Sequence, residues 1–294
     1  MAGTRPGSPS SLLLMLFGDY WLAPSVGLPS ATLVSLLADF GVGDAAARAA
    51  LSRMVKRDLL QSTRAGRNTF YRPTPRARAI LVAAASRIVE FGSAHDDWSG
   101  AWSVVAFAIP ENSRALRAGA RNRLGWLGFA PLYDDVWICP HDRHEDAVRA
   151  LAAIGVVATP LQATVADSDV PIRPPQNAWN LESLAELYHD FLERAGEVRS
   201  LLTVGSLRPE DAVVHRTRLL EEWLELSSRD PDLPATLLPP EWPRAQARDA
   251  FLAIHQDLGV LATSRVRELV ATIDNALAAQ VERRTTADWV SPST

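Results

Sequence analysis

The chain has 294 residues, too many for one small core, so two or three domains are expected. Its 47 % hydrophobic and 22 % charged content suits an ordinary globular protein, and no run approaches the ~20 apolar residues of a membrane helix. One cysteine, Cys139, excludes an intrachain disulfide framework and a cysteine-based zinc finger, and points to a reducing, cytoplasmic setting. The formal charge of −4 is unevenly spread: residues 1–90 hold eleven Arg or Lys against five acids, +6, so the rest of the chain carries −10. Such an asymmetry suggests that one end meets a polyanion and the other does not.

Residues 1–9 are rich in Gly, Pro and Ser and are expected to be flexible. The run LLLMLF (12–17) follows Arg5 as in a signal peptide, but it is short, is interrupted by Gly18-Asp19 and precedes no clean cleavage site. Ser10 or Ser11 is expected to cap a first helix, and a loop with Pro24 and Gly27 follows it. Pro29 and Ser30 open a second helix with Leu33, Leu36, Leu37 and Phe40 at helical spacing. Gly41 ends it. Asp44 is the expected N-cap of a third helix reaching about Asp58, and the Gly41–Gly43 link has helix-turn-helix length. QSTRAGRNTFYR (61–72) alternates about Ala65-Gly66 and reads as a β-hairpin. Thr74-Pro75 starts an exit helix with Ile80, Leu81, Ala84 and Ile88 on one side. Together these elements predict a winged helix-turn-helix domain over 8–92.

Residues 96–166 follow a β-α-β-α-β rhythm with room for a paired strand near 130–138, which predicts a ferredoxin-like α/β domain. DSDVPIRPPQNA (167–178) is a linker. From Trp179 the chain reads as helices only, near 180–200, 208–228, 243–258 and 263–282, a C-terminal all-helical domain over 179–282. The proline-rich RDPDLPATLLPPEWP (229–243) breaks this run as a rigid connector whose Leu233, Leu237 and Leu238 plug into the helices around it. Residues 283–294 are expected to form a flexible tail. The fold class is therefore α+β and multidomain.

On a helical wheel Ala47, Leu51, Met54 and Val55 of the third helix share the inner side. Ala45, Ala46, Ala49, Ser52, Arg53 and Lys56 share the outer side. Small residues near the N-terminus let a helix sit close to base edges. Ser52 can bond a base or a phosphate, and Arg53 can reach guanine bidentately. Lys56, the chain's only lysine, and Arg57 would neutralise phosphates. Arg48 lies at the border of the two faces. Arg64 and Arg67 at the hairpin tip would meet the adjacent backbone or minor groove. A charge run alone reads equally well as a solvated face. Basic residues on both helix and hairpin, in a chain otherwise poor in positive charge, favour double-stranded DNA as the partner.

FGDYW (17–21), RAALSRMVKRDLL (48–60), GRNTFYRPTP (66–75), WSGAWSVVAFAIPE (98–111), ELYHDFL (186–192) and RDPDLPATLLPPEW (229–242) resemble the PaaX-type repressors of aromatic-acid catabolism. The resemblance implies a homodimeric, GntR-like winged-helix repressor with no cofactor. It would leave its operator when an aryl-CoA thioester, typically phenylacetyl-CoA, binds. The middle segment also resembles the small CRISPR adaptation nucleases. The sequence departs from the family at Pro73, where an apolar strand residue is usual. No residue carries the identity of the operon.

The rival reading is a metal-dependent nuclease on the middle domain. His141, Asp142, His144, Glu145 and Asp146, with Asp134 and Asp135, could hold Mg²⁺. That fold needs a carboxylate at the end of its first strand, and SVVAFAIP (103–110) offers none, so the cluster reads as a polar loop and helix cap with no metal site. No G-x-S-x-G or G-x-x-x-x-G-K-[ST] motif occurs, and His215 and His255 read as helix residues rather than bases. Tryptophans such as Trp98, Trp102, Trp126, Trp137, Trp179, Trp223 and Trp242 could stack on an aryl group, and Arg121, Arg123 or Arg173 could meet coenzyme A phosphates. Core packing explains any single tryptophan as well, so the ligand-site residues stay unassigned.

Overall fold

The computed structural model describes residues 7–22, 26–93, 98–285 and 288–289. The first six residues of the expected flexible start, Pro24, and residues 286, 287 and 290–294 of the expected tail lie outside them. The elements are α1 (Pro9–Tyr20), β1 (Leu28–Pro29), α2 (Ser30–Asp39), α3 (Asp44–Lys56), β2 (Leu60–Ala65), β3 (Asn68–Pro73) and α4 (Pro75–Glu90). They continue as β4 (Trp102–Phe107), α5 (Arg114–Trp126), β5 (Ala130–Tyr133), β6 (Val136–Cys139), α6 (His144–Ala152) and β7 (Ala158–Ala163). The last are α7 (Leu181–Val204), α8 (Pro209–Arg229), α9 (Arg244–Ala271) and α10 (Asn275–Ala278). The protein is thus α+β with two antiparallel sheets.

The chain divides into two compact units that do not follow chain order. The first comprises Met1–Phe91, Asp190–Glu225 and Ala245–Thr294. Its first helix is capped two or three residues earlier than expected. Ser8 accepts the Ser11 amide at 3.2 Å, because Pro9 at the first helical position has no N–H to satisfy. Asp44 is not the cap of α3. Gly43 holds that position without a side-chain bond, and Asp44 sits in the first turn, where its charge suits the helix dipole. The hairpin gains a third strand absent from the sequence reading, since β1 pairs with β3 and the order is β1-β3-β2. Gly27 permits this: a Cβ there would lie 2.9 Å from the Tyr71 backbone. In α4 the packed residues are Ala77, Ala85 and Ile88, whereas Ile80, expected inside, is 46 % exposed.

The C-terminal helices supply much of this unit's core. Trp223 of α8 stacks on Phe251 of α9 at 5.3 Å and tilts against Phe91 and Phe191. Its indole N–H donates to the Ile88 carbonyl at 3.2 Å, closing over the end of α4. Arg265 forks onto Asp39 at 3.0 and 3.1 Å, tying α9 to α2. The break expected near 259–262 does not occur, and α9 runs through Gly259 for 28 residues. Gly259 is buried within the helix, and a Cβ there would make only ordinary contact with the Arg283 side chain at 3.6 Å. Within the segment expected as a tail, Trp289 is 3 % exposed and its ring lies 4.8 Å from that of His255.

The second unit comprises Gly92–His189 and Leu226–Arg244. Its four strands run in the order β5-β6-β4-β7, every neighbour antiparallel, with helices α5 and α6 in a β-α-β-β-α-β sequence. Alternation along the strands sorts the two faces. Val105, Phe107, Trp137 and Cys139 pack with Ala120, Leu124, Ala147 and Leu151 of the helices. Trp102, Val104 and Ile138 face the other way, under Trp98, Trp179 and Leu237. Leu237 of the connector therefore plugs onto a sheet and not, as expected, into helices. The connector is fastened by its own polar groups. Asp230 accepts from Tyr188 Oη at 2.5 Å and from the Asp232 amide at 2.7 Å, and Arg244 donates to the Leu233 carbonyl at 2.8 Å. His141 Nε2 lies 3.0 Å from the Asp232 carbonyl oxygen.

Candidate nucleic-acid interface

Helix α3 buries Ala47, Ala50, Leu51 and Met54 and leaves Val55 half-buried. Its other side presents Ala45, Ala46, Arg48, Ala49, Ser52, Arg53 and Lys56 to solvent, and Arg57 follows at the C-cap, also exposed. The outer face inferred from the wheel is the one the fold exposes. Arg48 makes an ion pair with Asp44 at 3.9 Å, one turn back and exposed, which holds the guanidinium only weakly.

The hairpin follows at once. Asp58, with φ +56°, turns the chain out of the helix. Thr74 closes the hairpin base, donating its hydroxyl to the Asp58 carbonyl at 2.8 Å while its Oγ1 accepts the Ala77 amide at 3.1 Å. Ala65 pairs with Asn68, so Gly66 and Arg67 form a two-residue turn. Gly66 has φ +59°, the left-handed conformation that such a turn asks of its first central residue. Arg64 and Arg67 are therefore at an exposed tip. Pro73 is tolerated because it ends β3 opposite Leu60. Two basic residues of this surface were not among the expected DNA contacts. Arg72 forks onto Gln61 across the hairpin at 2.8 and 3.1 Å, stiffening it. Arg76 donates to the Arg57 carbonyl at 3.4 Å and so brings another guanidinium to the end of α3. The basic RPTPRAR run was the only signal for it.

Of the other candidates, Arg121, Arg123 and Trp126 are exposed, and most of the rest are engaged elsewhere. Asp142 pairs with His144 at 2.8 Å, and Arg149 pairs with Asp146 at 2.7 Å and Glu145 at 3.6 Å. Among the described residues no group of three or more His, Cys, Asp or Glu could hold a metal ion. Asp134 and Asp135 form the turn between β5 and β6, and β4 carries no carboxylate. Burial pushes the Cys139 thiol up to about 11, so it is an inert core group. On the sheet Trp102 stacks on Trp179 and meets Trp98 edge to face, and Trp137 and Trp223 are buried. Arg173 donates to the Leu132 carbonyl at 2.7 Å.

Fold and surface together define a multidomain α+β protein whose N-terminal module displays a basic helix beside a basic hairpin. The chain belongs to the PaaX family. It matches "PaaX-like protein" over residues 8–77, "PaaX protein central Cas2-like domain" over 95–176 and "PaaX-like protein C-terminal domain" over 179–268. It is 26 % identical over 270 residues to the transcriptional repressor PaaX of Escherichia coli strain K12, covering 90 % of this chain and 84 % of that one. The kinship is with a regulator and not with an enzyme. The solved structure of an uncharacterized protein, Rv0674 from Mycobacterium tuberculosis, shares the fold. Its TM-score is 0.58 at 24 % identity, over 90 % of this chain and 99 % of that one.

Proposed function

We propose that the protein is a cytoplasmic, DNA-binding transcriptional regulator, a repressor released from its operator by an aryl-CoA thioester. In this reading the N-terminal module is a winged helix-turn-helix and the β-α-β-β-α-β unit is ferredoxin-like, an assignment its strand order favours. Helix α3 enters the major groove and the hairpin rests on the neighbouring backbone. The observation that carries the reading is the division of α3. One face is buried in the module, while the other is exposed, small near its N-terminus and basic beyond it, next to a basic hairpin tip. Ser52 and Arg53 read bases, and Lys56, Arg57, Arg64 and Arg67 hold phosphates. Arg48 adds to the helix face. An operator with two half-sites calls for a homodimer, with one α3 per half-site. The PaaX kinship motivates the aryl-CoA effector and a catabolic operon of the phenylacetate type.

Binding of the full chain to its own upstream DNA, compared with unrelated duplex, tests this. Arg53→Ala should lose about 1–3 kcal/mol of discrimination between the two. Arg67→Ala should weaken both about equally and flatten the salt dependence by roughly one unit. Equal loss of specific and non-specific binding in both variants would show that helix and hairpin do not divide the work this way.

A further inference from the structure

Among the described helices of eight or more residues, α5 alone carries basic side chains and no acidic one. Its sequence, RALRAGARNRLGW, contains Arg114, Arg117, Arg121 and Arg123. Leu116, Ala120 and Leu124 pack it against the sheet. At about 100° per residue the opposite face centres on Ala118, Asn122 and Gly125. Arg114 and Arg121 flank that centre on one side, and Arg123 and Trp126 on the other. All of these residues are exposed, and Trp126 is 79 % exposed, a high value for a side chain of that size. Arg143 adds a further cation, its guanidinium 3.5 Å from the Leu127 carbonyl at the C-cap of α5.

A merely solvated face mixes its charges, as α6 does in pairing Arg149 with Glu145 and Asp146. Arg114, Arg121 and Arg123 make no ion pair among the described residues, and Arg123 reaches only the Gly119 carbonyl of its own helix. Arg117 stands apart, because it donates to the Ile109 carbonyl and lines a groove with Asp134 and Asp135. Arg121 borders that groove as well, so the three exposed arginines do not form a closed anion pocket. They spread over about 14 Å of helix and both flanks of a convex face. That spread suits an extended chain of phosphates better than a compact anion, and small residues between the arginines allow close approach. Beyond its acidic first residue, the exposed face of α3 likewise places Ala45, Ala46 and Ala49 among Arg48, Arg53 and Lys56.

We propose that the outer face of α5 is a second DNA-contact surface, which holds the phosphodiester backbone of duplex DNA through Arg114, Arg121 and Arg123. The indole of Trp126 lies against the sugars. This rests on the reading of the protein as a DNA-binding regulator but not on the contacts assigned to α3. The contact is with backbone, so it raises affinity for every sequence alike.

The test compares full-length wild type, Arg114→Ala/Arg121→Ala/Arg123→Ala and Arg53→Ala, on the upstream fragment and on unrelated duplex across a range of salt. Circular dichroism checks the fold. The triple variant should weaken on both DNAs to the same degree, with the salt slope lower by roughly two to three units at about 0.9 per phosphate contact. The corresponding triple-lysine variant should keep most of that slope. An unchanged slope and affinity in the triple-alanine variant, with Arg53→Ala losing discrimination, overturns the α5 surface and leaves the helix–hairpin reading standing. Loss of binding in the triple-alanine variant, with Arg53→Ala equal to wild type, supports α5 and overturns the role given to α3. Normal DNA binding with a lost response to phenylacetyl-CoA makes α5 an effector surface and overturns the DNA assignment.

Discussion

Asp19, Arg216 and His255 place three ionisable groups where almost no water reaches them, none more than 2 % exposed. His255 Nε2 lies 3.1 Å from Arg216 Nε and 3.3 Å from Asp19 Oδ2, so the neutral ring either accepts from one or donates to the other. Arg216 also donates to the Arg284 carbonyl and stands 5.2 Å over the Tyr20 ring. Burial alone would raise the Asp19 carboxyl, but Arg216 and His255 reverse this and hold it below 3.8. Burial lowers the His255 imidazole against the pull of Asp19. The folded protein therefore binds fewer protons at His255 than the unfolded chain does. Stability should be flat above the usual value of 6.5 and fall as pH drops below it, by at most about 1.4 kcal/mol per pH unit for this group. Asp19 adds a further loss only as pH falls through its own lowered value. His255→Phe should flatten the decline between pH 6.5 and 5 in denaturant unfolding, leaving the share of His215, which burial shifts the same way. An unaltered decline would remove His255 as its source. Arg216→Met, which strands Asp19, should cost about 3–5 kcal/mol.

Among the elements, β1 depends on one atom that is missing. Gly27→Ala would drive a methyl to 2.9 Å from the Tyr71 backbone, which cannot yield as a flexible side chain can. Thermal unfolding should show about 1–3 kcal/mol lost, as for other over-packed sites. Gly43 is the opposite case. A Cβ there meets nothing within 4 Å, its φ is −69°, and it caps α3 without a side-chain bond. Gly43→Ser should change stability by only a few tenths of a kcal/mol, and in the favourable direction. Equal effects at the two glycines would contradict this account of β1. The stretches that carry the family resemblance have a related structural role. FGDYW supplies Asp19 and the ring under Arg216, and ELYHDFL supplies the Tyr188 hydroxyl that meets Asp230 of RDPDLPATLLPPEW. The resemblance marked these stretches as belonging together, but not as buried polar fastenings.

For the whole molecule, the first unit combines the basic module with most of α8 and α9. Removing the C-terminal half would strip Trp223 and Phe251 from the end of α4 and unfold what it was meant to isolate, so the response to effector must be measured on the full chain. Titration of phenylacetyl-CoA with and without operator is the direct measurement. If the ligand weakens DNA binding about a hundredfold, the operator must weaken ligand binding equally, by about 2.7 kcal/mol. Equal ligand affinities in the two titrations would remove the induction mechanism and leave DNA binding standing. Light scattering should find two chains per specific DNA site.

Much of the protein was readable from local pattern alone. The 3.6-residue spacing in α2 and α3, the alternation about Gly66 and the β-α-β rhythm of the middle segment are periodicities that each element imposes on its own residues. The basic face of α3 was legible for the same reason, because burying Ala47, Leu51 and Met54 leaves one side for everything else. Contacts between residues far apart in sequence were not legible. Nothing local marks Asp19 as the partner of Arg216, Leu28–Pro29 as a strand or Trp289 as a lid on His255. Gly259 reads locally as a breaker, yet it lies buried inside α9, where tertiary packing overrides its helix propensity. Nor does any local pattern put the C-terminal helices in one unit with the N-terminal module. Their apolar stripes guarantee burial against something, and only the three-dimensional packing chose what.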